Sequence, residues 1–257
     1  MIEATFDRYA AAYDEKFNLN AIGRYQRKRV HRVLANLLSP GSTLLDVGCG
    51  PGSDFGWYGS RGLMVTALDI SGEMVRLAKV QSEKTGLDAK IYHTAFLEMP
   101  EDTQYDAVLL NFGVINAMPD LNGVKQKLKR ILKPKGHAII VSMPPFHLFS
   151  TVGYTIRLRF TSLLNRLFKK SLKLSDGMVI YYYSHRDICP GFHLERRIHL
   201  ASVLPTPDQF NQREGLFKPA FSALKRLDKF LAERLPDFAG GDHVCYVLRL
   251  TDNHNDQ

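Results

Sequence analysis

Residues Thr43 to Gly52 read TLLDVGCGPG, and the fold is decided there. An apolar run closes on an acid, Asp46, and then on three glycines at alternate positions, Gly48, Gly50 and Gly52. Such a run predicts a buried parallel strand that feeds a tight loop at the carboxyl edge of a sheet, with a helix starting just after it. Glycine suits that loop because it reaches positive φ without steric cost and lets a ligand lie against the backbone. The reading is therefore a ligand across the loop.

Working outward, the second strand, Leu63 to Leu68, ends in Asp69, an acid placed to accept hydrogen bonds from a ribose diol. The loop itself is GxGxG, with Ser53 where a dinucleotide fingerprint would carry its third glycine, so nicotinamide oxidoreduction is disfavoured. Strand and helix patterns then alternate: helix Asp54 to Ser60, strand Met64 to Asp69, helix Gly72 to Thr85, strands Ala89 to His93 and Tyr105 to Leu110, helix Leu121 to Leu132, and strand His137 to Ser142. This alternation predicts a doubly wound, mainly parallel α/β sheet. Ser71 reads as the N-cap of one helix and Gly86 as its stop.

Upstream, residues 3 to 20 carry no sustained period. Ile22 to Leu38 becomes helical, with Val30, Val33, Leu34, Leu37 and Leu38 on one face, until Ser39-Pro40-Gly41 stops it. Downstream, the pattern breaks at Pro144 for about fifty residues, then gives strand Arg196 to Val203, a helix within 207–235 and strand His243 to Leu250. Within the break, 156–173 reads as an amphipathic basic helix, Ile156, Phe160, Leu163, Leu164 and Leu167 opposing Arg159, Arg166, Lys169, Lys170 and Lys173.

The chain has 257 residues, 45% of them hydrophobic and 23% charged, enough for one well-buried α/β domain with an added cap. Its net charge of +8 is concentrated. Residues 24–32 hold Arg24, Arg27, Lys28, Arg29 and Arg32, and 144–174 hold Arg157, Arg159, Arg166, Lys169, Lys170 and Lys173, neither with an acid. Basicity so confined argues against a general nucleic-acid coat. Three cysteines without a CxxC argue against a disulfide scaffold or a cysteine zinc site and fit a reduced, cytoplasmic setting; no metal is expected. No signal peptide or membrane span is read, and only the tail, 252–257, reads as disordered.

DVGCGPG, then LDIS at 68–71, NFGVIN at 111–116 and LKPKG at 132–136, in that order, resemble the class I S-adenosylmethionine-dependent methyltransferases over roughly Phe6 to Pro144. The resemblance implies a Rossmann-like seven-stranded sheet. It divides the chain into an N-terminal helical flap (1–40), a cofactor-binding core (41–143), a substrate lid between strands 5 and 6 of the sheet (144–194) and a C-terminal part of the core (195–251). It implies that Gly48, Cys49, Gly50 and Gly52 pass beneath the methionyl and ribose portions of S-adenosylmethionine, that Asp46 fixes the loop from below, and that Asp69 holds the ribose hydroxyls. Ile70 and Met74 would flank the adenine. Tyr13, in a Tyr-Asp pair, would belong to the flap, and Arg27 would meet the methionine carboxylate, the alternative being a plain surface arginine. The acid that often binds the adenine amine is absent at Ala95, so that either the Phe96 backbone and nearby Glu98 replace it or adenine is held less specifically. Asn111 opens the loop facing the methyl group.

Methyl transfer from a sulfonium needs alignment and exclusion of water, with a base only for hydroxyl or ammonium acceptors. The candidate bases are His147, His185, Tyr183 and its neighbours Tyr181 and Asp187, each with a plain structural alternative. The aromatic run Tyr181 to Tyr183 could also enclose the sulfonium. The absence of an NPPY-type tetrad counts against nucleobase methylation. The leading reading is a small-molecule methyltransferase whose lid covers an apolar or aromatic acceptor. Alternatives are a lipid-like substrate met at a membrane through 156–173, an RNA substrate, and a non-catalytic cofactor-binding module.

Overall fold

The computed structural model describes residues 2–10, 20–145, 170–174, 177–207, 210, 219–236 and 241–250. In chain order the elements are α1 (Ile2–Ala10), α2 (Ala21–Leu37), β1 (Thr43–Val47), α3 (Phe55–Ser60), β2 (Met64–Asp69), α4 (Gly72–Thr85), β3 (Lys90–His93) and β4 (Tyr105–Leu110). A 3-10 turn (Val114–Ala117), α5 (Leu121–Ile131), β5 (Leu132–Ser142), β6 (Ser171–Lys173), β7 (Val179–Tyr181), α6 (His185–Ile188), β8 (His193–Leu200), α7 (Phe221–Leu231) and β9 (His243–Arg249) follow.

Seven strands form one sheet in the order β3-β2-β1-β4-β5-β9-β8, and β6 pairs with β7 apart from it. β1 lies parallel between β2 and β4, so four of its five residues are buried and a continuous apolar run is required. β9 runs antiparallel to both β5 and β8, which completes the sheet at that edge. Alternate side chains build two cores. One packs α2, α3 and α4 on Leu44, Val65, Ala67 and Leu109, and the other packs α5 and α6 on Leu45, Val47, Val108 and Ile140.

Local chemistry fixes the ends. Asn20 caps α2 by accepting from the Ile22 amide at 2.8 Å, and Ser71 caps α4 by accepting from the Met74 amide at 3.1 Å. Gly86, at φ +68°, ends α4 in the left-handed conformation.

Residues 2–10 form a helix within the expected helical flap, although no period marks them in the sequence. Three expectations are corrected. The LKPKG segment already pairs, so β5 begins at Leu132 instead of His137, with a register shift opposite Tyr105 to Ala107. β8 spans His193–Leu200, three residues upstream of the predicted strand, because a bulge between Leu194 and Arg196 breaks its alternation. Finally, Ser171–Lys173, expected as the end of a basic helix, is a strand paired with Val179–Tyr181; residues 156–169 of that helix lie outside the described residues.

Candidate cofactor site

The loop after β1 takes the shape its glycines allow. Gly48, Gly50 and Gly52 all have positive φ, +68°, +56° and +75°. Gly48 is required twice over, because a Cβ there would stand 2.5 Å from a Val114 methyl. The amides of Gly48 and Cys49 donate to the Leu68 carbonyl at 2.8 and 3.0 Å, tying the loop to the end of β2.

Asp69 ends β2 directly beside that loop. One carboxylate oxygen accepts from the Gly50 amide at 2.9 Å and the other from the Ser71 amide at 2.9 Å. Burial raises its pKa, and the amides of Ser71 and Gly50 oppose the shift. Each oxygen keeps a lone pair beyond these bonds, so the carboxylate is oriented and still able to accept. Asp46 lies deeper, accepting from the Tyr58 hydroxyl at 3.0 Å; burial and the nearby Asp54 push its pKa to about 7. The Cys49 thiol is driven well above its usual range by burial, which keeps it protonated and unreactive.

Arg27 is engaged inside the protein. Its guanidinium pairs with Asp54 and stacks 5.1 Å from the Phe112 ring centroid. His31 bonds the other Asp54 oxygen at 2.6 Å, and these two partners overcome burial to hold the Asp54 pKa near 2. The sequence shows no signal for this linkage, since Asp54 lies 23 and 27 residues from its partners. Arg27 thereby joins α2 to the loop after β1 and to the loop after β4.

In that last loop the two asparagines of NFGVIN separate in role. Asn116 is buried and fully used: its amide donates to the Met143 and Tyr181 carbonyls at 3.0 and 2.6 Å, and its carbonyl accepts from the Met143 amide at 2.8 Å. Asn111 uses its carbonyl on the Phe112 amide at 3.1 Å, but its buried Nδ2 has no partner among the described residues. Phe112 beside it sits at φ +42°, a strained conformation for a non-glycine residue, held by Arg27 and by the edge of His243 at 5.6 Å.

The remaining candidates fall in two places. Ile70 and the buried Met74 flank Asp69 at the start of α4, and the Ile70 carbonyl is 3.0 Å from His93 Nε2. Ala95 is half-buried, while the Phe96 side chain enters the core with Lys127 Nζ 5.5 Å from its ring centroid. Helix α1, for which the sequence offered no period, sets Asp7 against Ser71 Oγ at 2.5 Å and the Glu73 amide at 3.3 Å, beside Asp69. Tyr183 and His185 sit instead on the segment after β7. The Tyr183 hydroxyl donates to the Met118 carbonyl at 2.6 Å and burial lifts its pKa to about 12. His185 Nδ1 lies 3.1 Å from Cys189 Sγ, and burial lowers its pKa. Tyr13 and His147 lie outside the described residues.

A family model described as a methyltransferase domain matches residues 45–140. The chain is 30% identical over 185 residues to the demethylmenaquinone methyltransferase of Staphylococcus aureus, covering 66% of this chain and 72% of that enzyme. The chain belongs to the class I S-adenosylmethionine-dependent methyltransferases. The methyltransferase is also 36% identical over 129 residues to a sterol 24-C-methyltransferase of Gibberella zeae, a match that takes in 49% of this chain but spans only 33% of that relative's length. In fold it is like a Burkholderia thailandensis methyltransferase crystallised with 1,6-didemethyltoxoflavin and S-adenosylhomocysteine, at a TM-score of 0.63 and 14% identity, covering 98% and 88% of the two chains. The family model spans the glycine loop, Asp69 and NFGVIN, and the Arg27–Asp54 pair joins α2 to the segment that follows that loop.

Proposed function

We propose that this methyltransferase moves a methyl group from S-adenosylmethionine to a small, largely apolar acceptor. Asp69 carries the reading: a carboxylate held by two amides against three positive-φ glycines, with acceptor capacity to spare, is what a ribose diol needs. The orphaned Nδ2 of Asn111 supports it, because a buried amide N–H without a partner calls for an acceptor from a ligand. In this reading Gly48, Cys49, Gly50, Gly52 and Asp69 hold S-adenosylmethionine, Ile70, Met74, Ala95 and the Phe96 backbone border its adenine, and Asp46 supports the loop. The bound cofactor supplies the activated methyl on its sulfonium.

The protein's own contribution is placement. Arg27 acts through Asp54 and Phe112, setting the two loops that face each other across the cleft; a direct contact with the methionine carboxylate would require it to leave Asp54. The flap, 1–40, contributes α1 beside Ser71, with Tyr13 further along it, and the insertion, 144–194, closes over the acceptor. Where the acceptor must lose a proton, His185 is in the right state, since burial keeps its imidazole neutral, whereas the Tyr183 proton is held on the Met118 carbonyl. An apolar acceptor accords with relatives named for demethylmenaquinone and sterol methylation.

Calorimetric titration of S-adenosylhomocysteine and, in parallel, NAD is the test. We expect micromolar binding of the first alone, weakened about a hundredfold by Asp69→Ala. A wild-type protein that binds neither, or binds NAD, refutes the assignment. Mass spectrometry of quinone and sterol acceptors incubated with enzyme and cofactor then reads the added methyl group.

A further inference from the structure

Apart from Arg27, the basic residues of α2 are not used at the cofactor site, and the structure gives the helix a neighbour. α7 lies beside α2: Tyr25 on α2 donates to Asp228 on α7 at 2.8 Å, and Arg29 reaches the same carboxylate at 3.6 Å. Asp228, the one acid of α7, is fully buried by that seam, and α2 contains no acid at all. Lys28 and Arg32, an exposed i, i+4 pair, remain outside it, adjoining a groove of about 320 Å³ that Trp57 and Arg61 complete.

The outward face of α7 is unusual for a helix of a soluble domain. Phe230 is 58% exposed and Leu227 46%, and cations surround them: Arg226 and Lys229 are exposed on the same side, and Arg234 stacks 4.3 Å from the Phe230 ring. Exposed aromatic and aliphatic side chains set among cations, with Asp228 turned inward and the exposed Glu233 paired to Arg196, are the pattern of a helix that lies in a bilayer interface, its rings at the acyl boundary and its cations among anionic headgroups. A purely solvated helix would gain nothing by presenting Phe230 and Leu227 to water.

We propose that the α2–α7 face docks this protein on an anionic lipid bilayer, with Phe230 and Leu227 entering the interface and Arg226, Lys229, Lys28 and Arg32 meeting lipid phosphates. The surface is made of residues other than 156–173 and other than those assigned to the cofactor, so the inference does not rest on the substrate or on turnover. It gives an apolar acceptor a route from membrane to enzyme.

The full chain is sedimented with vesicles of phosphatidylcholine alone and of phosphatidylcholine with about one quarter phosphatidylglycerol, at low and physiological salt, and tested separately for binding to transfer RNA. Binding is expected to the anionic vesicles only and to weaken as salt rises. Phe230→Ser with Leu227→Ser should lower vesicle affinity about tenfold or more, and Arg226→Glu with Lys229→Glu by a similar factor. S-adenosylhomocysteine binding, unchanged in both variants, verifies that the cleft is intact. Wild-type protein that stays in the supernatant overturns the proposal, as does vesicle binding that neither pair of substitutions reduces. Binding to transfer RNA without binding to vesicles overturns it as well, by making the face one for nucleic acid.

Discussion

Two buried ionisable groups, Asp54 near the glycine loop and His199 at the far edge of the sheet, meet burial in opposite ways. Asp54 is charged and surrounded: Arg27 and His31 hold its carboxylate and keep its pKa near 2. His199, fully buried on β8, makes no hydrogen bond of good geometry through either ring nitrogen among the described residues. Its pKa falls to about 4 through burial and the nearby Arg197, which the backbone at Leu235 only partly offsets. Beside the central strand β1 the fold holds a charge in place, and on the edge strand β8 it excludes one. The difference follows the partners: Asp54 ties α2 to the segment after the glycine loop through Arg27 and His31, whereas His199 is packed among apolar groups.

The largest effect is therefore expected at Asp54. Asp54→Ala leaves Arg27 and His31 with no carboxylate between them, and breaking a buried ion pair from one side costs about 3–5 kcal/mol. Urea unfolding at neutral pH should show that loss as a lower midpoint with an unchanged slope. A loss under about 1 kcal/mol would mean that solvent readily replaces the carboxylate, and the contrast with His199 would collapse.

Acid exposes the other side of the comparison. An unfolded His199 titrates near 6.5 and the folded one near 4, so between those pH values the unfolded chain binds more protons and stability falls as pH drops. The shift corresponds to about 3 kcal/mol in total. His199→Leu should flatten the stability profile over that window while leaving the region below pH 4, where Asp54 and other carboxylates protonate, as steep as before. Equal slopes in the two proteins would show that His199 finds a partner in solution.

How far the sequence reveals this arrangement depends on the range of the interaction. The strand-loop-strand around Gly48 is legible because a run of buried residues and a row of positive-φ glycines are local demands that few other residues meet. Ser71 and Gly86 were legible as caps for the same reason. β6 and β7 were not, since three-residue strands are too short to show a period and their residues adjoin an apolar, helix-like pattern. Nor was the use of Arg27 legible: an arginine at a helical position can be assigned to any carboxylate within reach, and only the fold brings Asp54 to it. The side-chain order of β8 was hidden by its bulge, which moved the apparent strand three residues along the chain.

The smallest stability effect, and the sharpest discrimination, is expected within NFGVIN. Asn116→Ala removes two donated bonds and leaves the Met143 and Tyr181 carbonyls and the Met143 amide short of a partner, so it should cost about 2–3 kcal/mol. Asn111→Ala removes an Nδ2 that has no partner among the described residues and a carbonyl bonded to the adjacent amide, so it should change stability by less than about 1 kcal/mol. Affinity for S-adenosylhomocysteine should respond in the reverse order. If the Asn111 amide finds its acceptor on the ligand, its loss weakens binding about tenfold while Asn116→Ala acts only as far as the loop loosens. Denaturation midpoints and calorimetric affinities measured on the two variants place each asparagine on one axis or the other. Two variants that moved together on both axes would show that the orphaned amide is satisfied within the fold, and that NFGVIN works as one structural unit.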